Sequence, residues 1–211
     1  MKTSKFSRYK IRIREILSRR GWKGLARFLF ERFVWRQWRS IILRDPIGAR
    51  RLPSCYADGI RFSYWLSRSS IPEEVSRLLS AAGGREFAAE LEDRDGIWVL
   101  QDVAGNIVGW GGIYHDARQA RVLALPPAAV LLGGGVIVPA CRGKGLHRLA
   151  VNDVALRLAQ RGYKEVFTEV HPDNIASLRG LEGAQFVRVR EVCLRILFRR
   201  VVFDHNGVRW V

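Results

Sequence analysis

The chain has 211 residues, of which 48% are hydrophobic, so it is long and apolar enough for one large domain or for a domain with an extension. Its net charge is +16, and residues 1–51 carry sixteen basic side chains against three acidic ones, which places +13 of that charge in the first quarter. No run of about 18 uncharged apolar residues occurs, which argues against a spanning helix, and no secretory leader is expected. The three widely spaced cysteines form no metal pattern and favour a reducing cytoplasm.

Residues 1–51 are predicted to form a basic, aromatic-rich extension. Its apolar stripe of Trp22, Leu25, Leu29 and Phe33 has helical spacing and predicts an amphipathic helix. Residues 34–43 fit either a further helical turn or an edge strand. Three roles stay open for the extension: binding to an anionic membrane surface, docking of its aromatic residues into the core, and binding of nucleic acid, for which no motif is present.

The remainder, residues 54–211 after a proline-containing linker at 45–53, is predicted to be one α+β domain. Alternation, glycine positions and helical spacing predict strands and helices in the order β-α-α-β-β-β-α-β-α-β-β. The predicted strands are 59–65, 97–103, 106–114, 130–138, 165–170, 186–198 and 201–203. The predicted helices are 70–82, 85–92, 146–161 and 175–183.

The segment from Val136 to His147 combines the end of a strand, a proline turn, a basic glycine loop and the start of a helix. Backbone N–H groups and the dipole at a helix N-terminus favour an anion. Gly143 and Gly145 permit positive φ, and Arg142 and Lys144 supply charge. The segment therefore predicts a phosphate site, although it matches neither a P-loop nor a dinucleotide-binding fingerprint.

Arg142-Gly143-Lys144-Gly145-Leu146, following Val136-Ile137-Val138-Pro139, resembles the acyl-CoA-binding motif of the GNAT N-acyltransferase superfamily. The downstream residues Asn174, Ser177 and Phe186 agree with it. The resemblance implies the GNAT fold, a central, mostly antiparallel twisted sheet flanked by helices. It also implies acetyl-CoA or another acyl-CoA as substrate. The implied cofactor-binding residues are Ile137 and Val138 for the pantetheine arm, Arg142, Gly143, Lys144, Gly145, Leu146 and His147 around the pyrophosphate, and Asn174.

The chain departs from the family pattern at two positions of the predicted site. His147 stands where the family most often has Gly or Ala. Leu181 stands where many members carry the Tyr that protonates the CoA thiolate. Within the strand, the resemblance implies a splay at Gly133-Gly134-Gly135, where the thioester would lie, and a simple bend is the alternative.

Amine acylation needs a base, N–H donors for the oxyanion and help for the leaving thiolate. We predict Glu169 as the first candidate base and His171 as the second, with His115 and Asp116 behind them. A backbone N–H near Val138 is the predicted oxyanion donor. No metal is expected.

These features predict a cytoplasmic acyl-CoA-dependent N-acyltransferase, with acetyl-CoA as the first candidate donor. The predicted acceptor is a primary amine of a small or membrane-proximal metabolite such as an amino sugar. Lipid binding by residues 1–51 would make the protein peripheral on the inner face of the membrane. The alternative is a catalytically degenerate GNAT-like binding module that acts through its basic arm on a membrane or nucleic acid.

Overall fold

The computed structural model describes residues 17–18, 21–30, 35–45, 59–115, 123–126, 128–197 and 200–203. The chain divides into two compact units. The larger unit is Ser40–Glu191, and the smaller one combines Met1–Arg39 with Val192–Val211. Residues 40–44 of the first strand belong to the larger unit, and the predicted boundary after residue 51 stays a prediction.

The smaller unit contains a helix, α1, at residues 21–29, where the sequence predicted one. Leu25 is buried, whereas Trp22 and Phe30 are exposed, so only part of the predicted apolar stripe is covered. Phe33 lies outside the described residues. Within the described ranges, no helix has the length and apolar character needed to cross a bilayer.

Residues 34–43, for which a helical turn and an edge strand were both open, contain most of the strand β1, Trp35–Arg44. It is not an edge strand, because β6 pairs on one side and β7 follows on the other. Its second half pairs antiparallel with β6, for example Ile42 with Glu169. Asp45 continues this contact by donating its backbone N–H to the carbonyl of Val166 at 2.9 Å. The predicted linker therefore begins after Asp45, and its remaining residues lie outside the described ranges.

The sheet of the larger unit has the strand order β2-β3-β4-β5-β6-β1. All neighbouring strands in it are antiparallel except β5 and β6, which are parallel. The α+β class and the mostly antiparallel sheet are thus confirmed. The strands after β1 are β2 Arg61–Trp65, β3 Gly96–Gln101, β4 Ile107–His115, β5 Val130–Ile137 and β6 Val166–Val170. The last strands within the described residues are β7, Val187–Leu197, and β8, Arg200–Phe203, which pair antiparallel.

Helices cover both faces of this sheet. The first face packs against α4 and α5 through a core that includes Trp98, Val154 and Leu181. The opposite face packs against α2 and α3 through a core that includes Leu79 and Trp110, with Phe87 at its border. The helices are α2 Glu73–Leu79, α3 Arg85–Glu90, α4 Leu146–Gln160 and α5 Ile175–Gly183.

Sequence reasoning placed α4 and α5 accurately but not α2. The helix predicted at 70–82 starts at Glu73, because Pro72 is its N-cap residue and residues 68–70 form a separate 3-10 turn. A π-helical turn then joins α2 to α3 across Gly83, whose φ of 97° breaks the regular helix. Gly83 tolerates this conformation and interrupts the helix between α2 and α3, although α2 itself ends earlier than predicted, at Leu79.

Candidate active site

Strands β5 and β6 separate along their length. Their parallel pairing runs from Val130 with Val166 to Leu132 with Thr168 and stops there. Both strands continue further, β5 to Ile137 and β6 to Val170. The edge of β5 that faces β6 is therefore unpaired from Gly133 onward, which leaves a gap between the two strands. The splay that the family resemblance implied at the triglycine segment, where a simple bend was the alternative, is present.

The triglycine segment forms a β-bulge. Trp110 of β4 pairs with Val136 and Gly112 pairs with Gly133, so Gly134 and Gly135 together oppose the single residue Gly111. Gly134 has φ of 63°, which a side chain would strain. The bulge explains why β5 leaves β6 at this point, because an extra residue bends the strand that contains it.

The backbone of β5 directs specific N–H groups into this gap. Val138 itself donates its N–H to the carbonyl of Val108 on β4 at 2.9 Å, so the oxyanion donor predicted near Val138 must be a neighbouring residue of the strand. Its carbonyl accepts the N–H of Cys141 at 2.9 Å. The backbone N–H groups of alternate residues point to the same edge of a strand. The N–H of Val136 therefore also points to β4, whereas those of Gly135 and Ile137 point to the gap. Gly135 is therefore the better candidate for the oxyanion donor.

The loop after β5 and the start of α4 present a row of backbone donors. Gly143 and Gly145 have φ of 79° and 72°, as the predicted loop requires. The N–H of Arg142 donates to the carbonyl of Pro139 at 3.3 Å, and the next backbone N–H with a carbonyl acceptor is that of Leu149, which donates to Gly145 at 3.1 Å. In the described part of the chain, the six N–H groups from residues 143–148 have no such acceptor. Together with the helix dipole they form a site suited to a phosphate or pyrophosphate.

The side chains around this loop have different roles. Arg142 is exposed and donates from Nε to the carbonyl of Ile137 at 3.0 Å, which holds its guanidinium at the end of β5. Lys144 is exposed. Leu146 is buried in the core, so only its backbone N–H is available to a ligand. The structure therefore brings Ile137 and residues 142–146 together at one end of the gap.

His147 points into the sheet rather than out to solvent. A Cβ added to Gly135 would lie 2.8 Å from its Nε2, and one added to Gly180 of α5 would lie 3.3 Å from its Nδ1. Its ring also contacts that of Trp98, with centroids 6.4 Å apart. Burial lowers the pKa of His147, so the ring is neutral at pH 7. Two glycines thus make room for the imidazole on the α4 and α5 face of the bulge.

Glu169 lies one residue beyond the last pair between β5 and β6. Because its neighbour Val170 packs in the core under α4, Glu169 alternates to the opposite face of the sheet. Its Oε2 accepts a hydrogen bond from Ser40 Oγ at 2.7 Å. Ser40 is buried, so this contact fixes the carboxylate at the edge of the gap. Its assignment as the base stays a prediction.

The remaining candidates lie further from the bulge. His171 is exposed in the turn after β6, where its Nδ1 accepts the N–H of Asp173 at 3.3 Å. Asn174 caps α5 by accepting the N–H of Ser177 at 3.2 Å, so its carbonyl oxygen has a structural role. His115 pairs with Val130 at the beginning of β5, far along the strand from Gly135, and its ring is tilted against that of Tyr163, with centroids 5.5 Å apart. Asp116 lies outside the described residues.

Sequence reasoning missed the aromatic residues that enclose the bulge. On the α2 and α3 face, a Cβ added to Gly134 would lie 3.1 Å from Phe87 and 3.3 Å from the Tyr114 hydroxyl. Burial, with smaller effects from the negative charges of Asp95 and Glu90, raises the pKa of Tyr114 to about 12. Its hydroxyl therefore stays protonated at neutral pH. The glycines at 111 and 112, next to Tyr114 in a strand, were the available signal, because glycine there often marks close approach of another group.

We expect Tyr114 to make the stability of the fold fall in strong alkali. The folded chain holds the phenolic proton more tightly than the unfolded chain, whose value is 10.0. The resulting stabilisation is complete below pH 10 and is lost as the pH rises towards about 12. Urea unfolding at pH 9 and 11 should show that wild type loses about 1.4 kcal/mol more than Tyr114→Phe. Equal losses of stability in the two proteins would contradict a raised pKa of Tyr114.

The sequence profile of the acetyltransferase (GNAT) family matches residues 61–181, more than half of the chain, so the chain belongs to that family. The match covers the bulge, the donor loop, α4 and most of α5. Members of this family transfer acyl groups from acyl-CoA to amines. No curated protein matches the chain.

Solved structures with the same fold include two GNAT acetyltransferases. One, from Colwellia psychrerythraea, is 11% identical with a TM-score of 0.53 over 82% of this chain and 61% of its own. The other, from Sphaerobacter thermophilus, is 14% identical with a TM-score of 0.53 over 87% of this chain and 59% of its own. The chain thus spans about three fifths of the length of each structure, and at these identities the likeness concerns the fold alone.

Proposed function

We propose that this chain is an acyl-CoA-dependent N-acyltransferase that uses acetyl-CoA. The observation that carries the proposal is the row of backbone donors from residues 143–148 at one end of the gap between β5 and β6. The row suits the CoA pyrophosphate, with Arg142 and Lys144 adding charge. The pantetheine arm would then run along the open edge of β5 towards the bulge.

The reaction follows from the groups around the bulge. The amine attacks the thioester carbonyl carbon, forms the C–N bond and expels the thiolate, while its surplus proton passes to Glu169, directly or through water. The N–H of Gly135 stabilises the oxyanion, because it addresses the gap. Phe87 and Tyr114 close over Gly134, which favours a short acyl group such as acetyl.

The acceptor side of the bulge is acidic. Asp95 and Glu90 are close enough to Tyr114 to raise its pKa, and Glu169 lies on the same face of the sheet. A cationic amine is attracted to such a surface. We therefore propose a small primary amine such as an amino sugar as acceptor. The basic composition of residues 1–51 favours an acceptor that lies close to an anionic membrane surface.

Turnover tests this function directly. Release of free CoA from acetyl-CoA should require an amine, and a panel of amino sugars, polyamines and amino acids should identify the acceptor class. A series of acyl-CoA thioesters should show the greatest thermal stabilisation with the preferred donor, because the tightest ligand shifts unfolding most. Binding of acetyl-CoA without amine-dependent release across the panel would support the alternative, a degenerate binding module.

We propose in addition that α1 attaches the protein to the cytoplasmic face of an anionic membrane. Trp22 is 77% exposed and Phe30 is 52% exposed, and Lys23 and Arg27 on the same helix are also exposed. Exposed aromatic residues beside basic ones suit the interface of an anionic bilayer.

Vesicle binding distinguishes attachment to a membrane from binding of nucleic acid. We expect the full chain to sediment with phosphatidylglycerol vesicles at low salt and not with phosphatidylcholine vesicles. Trp22→Ala with Phe30→Ala should weaken that binding about tenfold, through lost apolar burial. Salt-dependent binding to duplex DNA without vesicle binding would contradict the membrane proposal and support the nucleic-acid alternative.

A further inference from the structure

One requirement of the proposed reaction, the stabilisation of the leaving thiolate, has no residue assigned to it. A thiolate must leave from the tetrahedral intermediate, yet the position where many family members have a tyrosine is Leu181, which is 2% exposed and packed in the core. Leucine offers no donor for the sulfur. The chain therefore needs a different group near the bulge, or it leaves the thiolate unassisted.

His147 is the polar side chain that the fold holds against the bulge on the same side as Leu181. Both residues belong to the α4 and α5 side of the sheet, and Nε2 lies against Gly135, whose own N–H addresses the gap. Tyr114, by contrast, reaches Gly134 from the opposite face, where the acidic surface favours the amine. His147 and Tyr114 thus approach the proposed position of the thioester from opposite faces of the sheet.

The residues packed around the ring of His147 leave space for it. Gly135 and Gly180 both lack the Cβ that would press on the imidazole, at 2.8 Å from Nε2 and 3.3 Å from Nδ1. Trp98 limits the ring on a third side. In the described part of the chain, neither ring nitrogen has a hydrogen-bond partner, so a donor is available to a ligand.

We propose that His147 is the residue that stabilises the departing CoA thiolate, by donating an N–H hydrogen bond to the sulfur. When the C–S bond breaks, sulfur keeps the electron pair, and the ring keeps its proton. The surplus proton of the amine leaves separately by the base. This inference rests on the proposed acyl-CoA chemistry and adds a residue for the leaving group, at a position where the family most often has a small residue.

The test uses bound CoA itself, so it does not depend on knowing the acceptor. A hydrogen bond to the sulfur stabilises the thiolate and lowers the thiol pKa, which is measured by thiolate absorbance with desulfo-CoA as the blank. We expect the thiol of CoA bound to wild type to titrate about one pH unit below that bound to His147→Phe, because hydrogen bonds to charged groups are stronger than neutral ones. Phe keeps an aromatic ring of similar size without donors.

Two further variants and a rate measurement make the outcomes distinct. His147→Gln retains an N–H donor and should restore part of the lowered thiol pKa. His147→Phe should reduce kcat about tenfold or more while the dissociation constant of acetyl-CoA changes little. His147→Gly restores the small residue common in the family. Unchanged thiol titration in His147→Phe, or a higher kcat in His147→Gly, would overturn the inference. Failure of the wild type to bind CoA would instead overturn the proposed function.

Discussion

Replacing Arg142 and Gly145 together by alanine is expected to weaken acetyl-CoA binding between about 10-fold and 100-fold. Loss of a charge-assisted contact to phosphate costs about 1.5–3 kcal/mol, and about 1.4 kcal/mol corresponds to a tenfold change. Gly145 is the N-cap of α4 with φ of 72°, where alanine is disfavoured by about 1–2 kcal/mol. The substitution therefore disturbs the donor row as well as the charge. Isothermal titration calorimetry at fixed ionic strength measures the effect.

Gly162→Ala is the matched control for this variant. Gly162 lies just after the other end of α4 with φ of 88°, and a Cβ there would meet no atom within 4 Å. It thus carries a conformational cost similar to that of Gly145 at a site away from the loop. We expect Gly162→Ala to lower the melting temperature without changing acetyl-CoA affinity. If the loop variant also binds with wild-type affinity, the pyrophosphate assignment is wrong.

The second large effect is expected at Glu169. Glu169→Gln keeps the size of the side chain and its contact with Ser40 Oγ but removes the negative charge and the basic oxygen pair. General-base catalysis contributes about 10²–10⁴-fold, so kcat for amine acylation should fall by that order while acetyl-CoA affinity is retained. Initial rates of CoA release over a range of amine concentrations give kcat and KM separately.

Glu165→Gln provides the comparison for Glu169→Gln. Glu165 immediately precedes β6 and uses its backbone carbonyl to accept the N–H of Val130 at 2.9 Å, at the closed end of the β5 and β6 pair. Substituting its side chain removes the same charge four residues away, and we expect kcat to change less than about twofold. Equal losses in the two variants would indicate a general electrostatic effect rather than a base at Glu169.

Local sequence patterns predicted the parts of the site that depend on backbone chemistry. Gly143 and Gly145 adopt the positive φ values that a glycine loop before a helix requires, and α4 begins at Leu146 as its spacing indicated. The family resemblance implied a splay at the triglycine segment, with a simple bend as the alternative, and β5 does separate from β6 there. Each of these features is fixed by conformational preferences of neighbouring residues, which a single sequence contains.

Predictions that depended on which strand lies next to which were less accurate. The sequence placed the oxyanion donor only near Val138, and the N–H of Val138 itself pairs with Val108, because the register of β4 on β5 decides which edge of the strand each N–H faces. Residues 34–43 gave no decision between helix and strand, since β1 exists through its pairing with β6, about 125 residues later in the chain.

Glycine placement and hydrophobic periodicity are local properties, and they were sufficient to predict the α+β class and the donor loop. The same local motif carried the resemblance to the family. The side chains that meet at the proposed thioester position could be identified only from the tertiary packing. His147 and Gly180 are 33 positions apart, and Tyr114 and Gly134 come from different strands, so their contacts follow from the packing of helices on the sheet. His147 departs from the family pattern at the start of α4, and the resemblance assigned it to the pyrophosphate. The fold instead places it beside the bulge.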